Sequence, residues 1–216
     1  MTNPAHFFDG LGGDANYLLT VPNAEHTMAT GLKTMLAGIA GFVTALTARM
    51  LPPTVASTLL PGKGSRSLVA RASAKPSRVT LWRATTTAGG TPLRRDFRML
   101  RRRLPETPCA VPVSDDLCLN PLVWVEADVT HLAEPVTDEA TGLEVWEVHH
   151  NEPAPAQEGL YRGFFLEFQF PGLPLPPGGP AATTAPSRAT SHVGVVPDTF
   201  PFQPCAGGEA CKGELV

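Results

Sequence analysis

The stretch "YRGFFLEFQF", residues 161–170, sets the fold class of this chain. Its side chains alternate, with the polar residues Glu167 and Gln169 on one side. The apolar side consists of Phe164, Leu166, Phe168 and Phe170. Successive side chains of a strand point to opposite faces of a sheet, so this period of two predicts a strand with one buried face.

Six more short segments of strand-forming residues precede it, separated by clusters of Pro, Gly, Asp or Thr. They are "TVASTLL" (54–60), "SLVARAS" (67–73), "RVTLWRA" (78–84), "DFRML" (96–100), "PLVWVEADV" (121–129) and "LEVWEVHH" (143–150). The first two flank "PGKGSR" (61–66), which predicts a hairpin around a glycine-rich turn. Seven such strands with no helical pattern between them predict an antiparallel β-sandwich-like domain over residues 52–170.

The N-terminal segment, residues 1–51, has α/β character instead. "NYLLTV" (16–21) is an apolar run that predicts a buried strand. Pro22-Asn23 predicts a turn, and Thr27 is the predicted N-cap of a helix over residues 28–50. The apolar side of that helix recurs at spacings of three and four, at Met28, Leu32, Met35, Leu36, Ile39, Phe42, Val43, Leu46 and Met50.

This helix is predicted to end at Leu51-Pro52-Pro53. Its apolar run is shorter than the roughly 20 residues that a membrane span needs, so no span is predicted and the helix is interpreted as buried. A helix of this kind normally packs on a sheet. The one or two strands of this segment would leave part of its apolar side exposed.

The C-terminal region begins with a Pro/Gly/Ala/Thr-rich segment, residues 171–191, which is interpreted as a flexible linker. Residues 192–216 regain apolar character, and we expect them to add a strand to one of the sheets and to end in a tail that contains cysteines. The four cysteines form two locally spaced pairs, Cys109 with Cys118 and Cys205 with Cys211. Two local disulfides are the preferred interpretation, which would imply an oxidising compartment; four unrelated thiols are the alternative.

One histidine, His26, lies in the predicted loop between the first strand and the helix. An α/β-hydrolase places its histidine base beyond a strand end, after the serine and the acid in chain order, because the imidazole must reach the serine oxygen. The alternative is a capping or surface histidine. The sequence contains no GxSxG elbow, and Asp9 and Asp14 are equally well explained as loop carboxylates.

The arginine-rich stretch "RRDFRMLRRR" (94–103) could indicate an anion or nucleic-acid patch. It carries no interleaved aromatic residues for base stacking, and the formal net charge of the chain is -3. We therefore expect a solvated strand face or ion pairing between domains, and no nucleic-acid partner.

His149-His150, with Glu147 and Glu152 beside them, could suggest a metal site. Adjacent side chains of a strand point to opposite faces and chelate poorly, so neither a metal nor a cofactor is predicted. The tryptophans that fall in predicted strands and are expected in the core are Trp82, Trp124 and Trp146.

Several separated motifs, in order, resemble the PhoPQ-activated pathogenicity-related protein family, which includes a secreted autocrine proliferation repressor. They are "YLLTVPNAEHTM" (17–28), "PSRVTLWRATTTAGGTPLRRDFRML" (76–100), "PAPAQEGLYRGFFLEFQFP" (153–171) and "VVPDTFPFQPC…CKGELV" (195–216). Within the second motif, the matching residues are Val79, Leu81, Trp82, Ala84, Arg95, Asp96, Phe97 and Arg98.

The resemblance implies an α/β-hydrolase domain followed by a smaller β-rich domain in a secreted protein, with this chain beginning late in the hydrolase domain. It places His26 at the position of the family's histidine. The family's segment with the serine elbow and the acid is absent, so the chain alone is expected to be inactive. Gly89 and Gly90 lengthen the loop before "RRDFR", and "MTNPAHFFDG" at the start has no signal-peptide pattern.

Three hypotheses remain open at this point. The chain is the C-terminal part of a secreted serine-hydrolase-like protein that acts on a small-molecule or peptide substrate. Alternatively, it is a secreted signalling or binding module with a cell-surface partner. The third hypothesis is a truncated product without a stable fold of its own.

Overall fold

The computed structural model describes residues 8, 11, 16–24, 28–86, 97, 100–102, 109, 111–119, 122–129, 133–172 and 186–199. Within them lie one helix, α1 (Leu32–Thr47), and a series of strands. The strands are β1 (Val55–Gly62), β2 (Ser65–Ala72), β3 (Arg78–Thr85), β4 (Leu100–Arg102), β5 (Val111–Pro112), β6 (Leu117–Leu119), β7 (Val125–Asp128), β8 (Glu134–Thr137), β9 (Glu144–Pro153), β10 (Arg162–Phe170), β11 (Ser187–Thr190) and β12 (Gly194–Val196).

Two antiparallel sheets contribute to one main core. Sheet A has the strand order β1-β2-β9-β8, and sheet B has the order β11-β10-β3-β7, with β12 also paired to β10. A small third sheet, sheet C, has the order β4-β6-β5. The core joins Leu68, Ala70, Ala72 and Val148 of sheet A to Val79, Leu81, Phe164, Leu166, Phe168, Phe170, Ala189 and Val196 of sheet B. The predicted antiparallel β-rich architecture is confirmed, whereas the domain boundaries stay a prediction.

The β1–β2 hairpin forms where the sequence predicts it. Gly62 pairs with Ser65, so Lys63 and Gly64 are the two turn residues. Gly64 has a φ of 73°, a left-handed conformation that glycine adopts without steric cost. This turn fixes the register of the pair, and a register fixed at the turn decides which side chains of β2 enter the core.

Strand β10 is buried on both faces, whereas the sequence predicts one buried face. On the second face the ring of Phe165 meets that of Trp124 edge-on, with centroids 5.2 Å apart, and Trp124 in turn contacts Phe97. Gly163 makes room for this cover, since a Cβ atom there would lie 2.9 Å from Trp124 and 3.0 Å from Phe97. A central strand that is covered on both sides loses the simple alternation on which the prediction rests.

Glu167 lies on this second face and is only 2% exposed. Trp82 Nε1 on β3 donates a hydrogen bond of 2.9 Å to Glu167 Oε2. The Arg188 guanidinium on β11 donates to Glu167 Oε1. A buried carboxylate is tolerated when hydrogen bonds and an opposite charge satisfy it, so Glu167 joins three neighbouring strands of sheet B.

Glu152, at the end of β9, is fully buried between the two sheets. Arg83 Nε on β3 lies 2.7 Å from Glu152 Oε2, and Arg162 Nη1 on β10 lies 3.1 Å from Glu152 Oε1. His150 Nε2 lies 2.7 Å from Oε2. Burial by itself raises the pKa of Glu152, but the hydrogen bonds from His150, Arg83 and Arg162 outweigh burial and lower its pKa overall. This carboxylate therefore connects sheet A to sheet B.

The tryptophans are half-buried rather than fully buried. Trp82 and Trp146 lie on β3 and β9, and Trp124 precedes β7. The Nε1 atom of Trp82 is bonded to Glu167, and Lys75 Nζ lies 5.0 Å above the ring of Trp146. Each of these two rings thus has an apolar body in the protein and a polar or charged neighbour at its edge or face.

The C-terminal part of the described chain adds two strands to β10. β11 covers residues 187–190, which the sequence assigns to the end of the flexible linker, and it pairs with residues 167–170. Its burial against β10 outweighs the local composition that favours a linker. β12 pairs with residues 162–164, as expected of the segment after residue 191.

Helix α1 is shorter than predicted, and the side that it buries is not the predicted apolar side. Its first residue is Leu32, with Gly31 as the N-cap, whereas the predicted cap Thr27 lies outside the described residues. The residues that face the body are small: Gly31, Gly38, Gly41 and Ala45. A row of large apolar side chains remains between 45% and 52% exposed, and we call it the exposed stripe: Leu32, Leu36, Ile39, Val43, Leu46 and Met50. The interpretation of α1 as a buried helix is therefore wrong for the side that carries the exposed stripe. The expectation that part of its apolar side is exposed is confirmed.

Residues 16–21 run beside β11 without forming a regular strand. Thr190 N donates to the Leu18 carbonyl at 2.9 Å, and Thr20 N donates to the Thr190 hydroxyl at 3.0 Å. In a regular ladder, Thr20 N would donate to a backbone carbonyl. Here it donates to the Thr190 hydroxyl instead, so regular strand pairing does not form. The predicted strand is thus an extended segment tied to sheet B.

The disulfide between Cys109 and Cys118 is confirmed. Cys118 lies on β6 and is 1% exposed. The second predicted pair, Cys205 and Cys211, lies outside the described residues.

Replacing the buried carboxylate tests the link between the sheets. We expect Glu152→Gln to lower the free energy of unfolding by about 3 kcal/mol, because Arg83 and Arg162 lose their counter-charge. Glu144→Gln, at an exposed position of the same strand, is the matched control and should change stability by less than about 0.5 kcal/mol. Urea unfolding at pH 7 measures both variants.

The pH dependence of the free energy of unfolding provides a second, independent test of the role of Glu152. Because the folded-state pKa of Glu152 is lowered, its stabilisation is present above the pKa of the unfolded chain and is lost as the pH falls through the folded-state value. The stability gap between wild type and Glu152→Gln should therefore narrow below about pH 4. A gap that stays constant in acid would contradict an ionised Glu152 in the folded protein.

Candidate functional site

The predicted base, His26, lies outside the described residues, so the site is characterised through the backbone on either side of it. Residues 16–24 precede this loop, and residues 28–31 lead into α1. Asp9 and Asp14, the nearby carboxylates, also lie outside the described residues.

Asn23 anchors the chain just before the His26 loop. Its Nδ2 atom donates to the Trp124 carbonyl at 2.9 Å, and its Oδ1 atom accepts from Trp124 N at 2.8 Å. Asn23 has a φ of 55°, a left-handed conformation that asparagine tolerates better than most residues. The backbone before the loop is therefore fixed to the approach to β7, a hundred residues away in sequence.

The chain after the loop is held by close packing. The Thr30 hydroxyl donates to the Asn23 carbonyl at 2.7 Å. A Cβ atom on Gly31 would lie 2.6 Å from Val21 and 2.7 Å from Ala24, so only glycine allows this approach. The described residues on the two sides of the loop therefore lie in contact with each other.

A cavity of about 330 Å³ lies further along α1, between the helix, the extended segment and Pro52. Tyr17 crosses it, with its hydroxyl donating to the Pro52 carbonyl at 3.2 Å and its ring edge against Phe42. Burial raises the pKa of Tyr17, so its hydroxyl stays neutral at physiological pH. Most of the other lining side chains are apolar, Leu19 and Ile39 among them, so the cavity is an apolar recess rather than a reactive centre.

The two adjacent histidines of β9 form separate pairs, as the alternation predicts. The side chain of His149 is 69% exposed and bonds to Glu147, whereas that of His150 is 11% exposed and bonds to Glu152. A hydrogen bond from Arg71 lowers the pKa of Glu147, and the bond from His149 adds to this against the effect of burial. In the described part of the chain, no group of three or more His, Cys, Asp or Glu side chains could hold a metal ion.

Most of the arginine-rich stretch lies outside the described residues. Arg101 and Arg102 belong to β4, which pairs with β6 next to Cys118. The expectation of a strand is thus met at residues 100–102, while the role of the arginines stays a prediction.

Sequence reasoning missed two residues that organise the molecule, Asn23 and Glu152. The sequence predicts Asn23 only as a turn former, and no local pattern points to Trp124 as its partner. Glu152 did carry a signal, because it shares the inward register of β9 with Val148. An acid at an inward position requires cationic partners.

No helix among the described ranges is long and apolar enough to span a membrane. The architecture so defined is a β-rich body with a short helical unit attached at one side.

Comparison with known proteins shows a similarity to one protein family. The profile of the family described as "PhoPQ-activated pathogenicity-related protein" matches residues 1–98, which include the His26 loop, α1 and β1–β3. The resemblance predicted from the sequence is therefore confirmed.

A particular relative extends the similarity to the rest of the chain. Autocrine proliferation repressor protein A of Dictyostelium discoideum is 25% identical over 215 residues. The alignment covers 97% of this chain and 37% of the relative, so the chain spans little more than a third of that protein's length. No solved structure matches the chain significantly.

The anchor of the His26 loop can be tested by Asn23→Gly. Glycine tolerates the left-handed backbone but removes both side-chain hydrogen bonds to Trp124, so we expect a loss of about 1–3 kcal/mol in the free energy of unfolding. Asn23→Asp retains the acceptor for Trp124 N and should lose less. Equal losses for the two variants in urea unfolding would show that the side-chain acceptor does not hold the loop.

Proposed function

We propose that this chain forms the C-terminal part of a secreted α/β-hydrolase-like protein of the PhoPQ-activated pathogenicity-related family. His26 would be the histidine of its catalytic site. The serine nucleophile and the acid would lie in a segment that precedes this chain in the intact protein. The chain alone is then expected to lack hydrolase activity, because its sequence contains no GxSxG elbow.

The observation that carries the proposal is the family match over residues 1–98, which includes the loop of His26. The described flanks of that loop support it, since Asn23 and Gly31 hold both ends in place. A general base must be held within reach of its nucleophile, and a loop whose two ends are fixed provides this better than a free segment. The chain aligns with only 37% of the relative's length, which is consistent with a larger intact protein.

In the intact protein the reaction would be acyl transfer from an ester or peptide. The imidazole of His26 would accept the serine hydroxyl proton as the serine oxygen attacks the carbonyl carbon, and it would return that proton to the leaving group. Water would then repeat the sequence on the acyl-enzyme. The disulfide between Cys109 and Cys118 supports the secreted location, because such bonds persist in oxidising compartments.

Hydrolysis of p-nitrophenyl acetate by the recombinant chain tests the expected inactivity. Free imidazole hydrolyses this ester slowly, so each histidine gives a background, and His149→Ala removes an exposed histidine as the matched control. We expect wild type, His26→Ala and His149→Ala to differ by less than about twofold. Turnover that disappears only in His26→Ala would contradict inactivity of the chain alone.

The sequence of the transcript upstream of Met1 tests the other half of the proposal. An in-frame GxSxG elbow followed by an acid is expected. An upstream region with a stop codon before any such elbow would contradict the hydrolase-like parent.

A secreted signalling or binding module is the second candidate. The similarity to an autocrine proliferation repressor over 97% of this chain favours it, because that similarity covers the β-rich body as well as the N-terminal unit. The β-rich body would then supply the binding surface for a cell-surface partner.

Binding to cells distinguishes this candidate from the first. We expect the fluorescently labelled chain to bind cells saturably and to be displaced by unlabelled chain, with heat-denatured chain as the control. The absence of saturable binding at micromolar concentration would count against a signalling role.

A further inference from the structure

The cavity beside α1 has walls from separate parts of the chain. They include Tyr17 and Leu19 of the extended segment, Phe42 of α1, Pro52 of the link to β1, and Ser187 at the start of β11. The Tyr17 hydroxyl donates to the Pro52 carbonyl, and the Tyr17 ring packs edge-on against Phe42. Contacts within the chain therefore fix these walls, and the cavity is formed without a ligand.

Close packing of α1 keeps the cavity from closing. A Cβ atom on Gly38 would lie 2.5 Å from Leu19, and one on Gly41 would lie 2.8 Å from the Pro186 carbonyl oxygen. The helix thus already touches the extended segment and the backbone just before Ser187. Because both contacts are at their closest approach, α1 cannot move inward to fill the remaining space.

Ser187 places one unpaired polar group at this cavity. It is 5% exposed, and its Oγ atom is buried without a hydrogen-bond partner among the described residues. The hydroxyls that follow on the chain do have partners, since that of Thr190 bonds to the Leu18 carbonyl and that of Ser191 to the His192 carbonyl. An unpaired buried hydroxyl destabilises a fold, so Ser187 marks a point where a ligand would gain a hydrogen bond.

The rest of the lining decides what the body of that ligand is. A buried water molecule is held by about three hydrogen bonds, whereas Leu19, Ile39 and Phe42 offer none. The Tyr17 hydroxyl is already used on Pro52. An apolar body therefore fills the cavity more favourably than ordered water does.

The charge at the cavity favours a neutral ligand. Arg188 is the single charged residue of the described lining, and its guanidinium already donates to the buried carboxylate of Glu167. Its Nε atom is buried without a partner, but adjacent residues of a strand point to opposite faces, so Nε and the Ser187 hydroxyl face away from each other. A carboxylate would lose its hydration here without gaining a counter-charge.

We propose that this cavity binds a neutral small molecule with an apolar body and one oxygen atom that hydrogen-bonds to Ser187, such as a medium-chain alcohol. Its volume of about 330 Å³ is roughly twice the 150 Å³ that accommodates benzene in an apolar cavity, which suits a chain of about eight carbons. Leu11 and Ile39 line it at 56% and 50% exposure, so its mouth faces solvent. No described residue next to the His26 loop lines the cavity, so the proposal does not depend on the role of His26.

Calorimetric titration of the full 216-residue chain with 1-octanol tests the proposal. We expect saturable binding of one molecule per chain at pH 7, with a dissociation constant on the order of 100 µM. Octanoate has the same chain length and carries a charge, so it should bind at least about tenfold more weakly. An absence of saturable octanol binding would overturn the site, and tighter binding of octanoate would overturn the neutral ligand.

A variant at the mouth of the cavity locates the binding. Ile39→Trp places a large ring at the entrance and should abolish octanol binding. Leu36→Trp makes the same change on α1 at a residue that is 52% exposed and does not line the cavity, so it should bind octanol like wild type. Equal affinities of the two variants would place the bound octanol elsewhere and overturn the proposal.

The role of Ser187 is tested by Ser187→Ala, with stability as a second readout. Octanol affinity should fall about fivefold, whereas the melting temperature should not fall, because the variant removes an unpaired hydroxyl. Ser67→Ala is the control, since the Ser67 hydroxyl bonds to Asn151 away from the cavity, and its octanol affinity should be unchanged. A lower melting temperature of Ser187→Ala with unchanged octanol affinity would show a structural serine and overturn its contact with the ligand.

Discussion

The contact of the Glu152 carboxylate with its three partners is the constraint on which the fold depends. A charge without solvent exposure is stable only where opposite charges and donors surround it. Arg83, Arg162 and His150 meet this requirement from β3, β10 and β9, so the two sheets must stay in one relative position for the carboxylate to remain paired. The apolar core tolerates small shifts of one sheet over the other; this ion cluster tolerates them less, because its hydrogen bonds are directional.

Strand β10 links the Glu152 carboxylate and its partners to the rest of the described structure. Arg162 holds its start to sheet A, and Glu167 in its middle holds Trp82 and Arg188. Because β11 is thereby fixed, its Thr190 can anchor the extended N-terminal segment, and the backbone before β11 can seat α1. The helix thus packs on the body through small residues, and its large apolar side chains stay about half exposed.

The sequence predicts those elements whose pattern is local. The turn at Gly64 and the alternation in β2, β3 and β10 depend on residues within a few positions, and these strands form where expected. The face that α1 buries depends instead on what lies next to it. Large apolar residues suggested the core side, yet Gly31, Gly38 and Ala45, spaced seven apart, mark the side of close approach. The small residues at helical spacing are the signal in the sequence for the side that α1 buries. Asn23 and Thr190 form contacts that no local pattern encodes.

The N-terminal unit makes contacts with residues beyond the range that the family model matches. The matched residues end at 98, before β7, β9, β10 and β11. However, Asn23, which precedes the His26 loop, is bonded to Trp124, and α1 packs on the backbone before β11. Both of these partners lie outside the matched range. The described part of the N-terminal unit therefore depends on the β-rich body for its position. This dependence gives a physical reason for the similarity to a relative to extend across both parts.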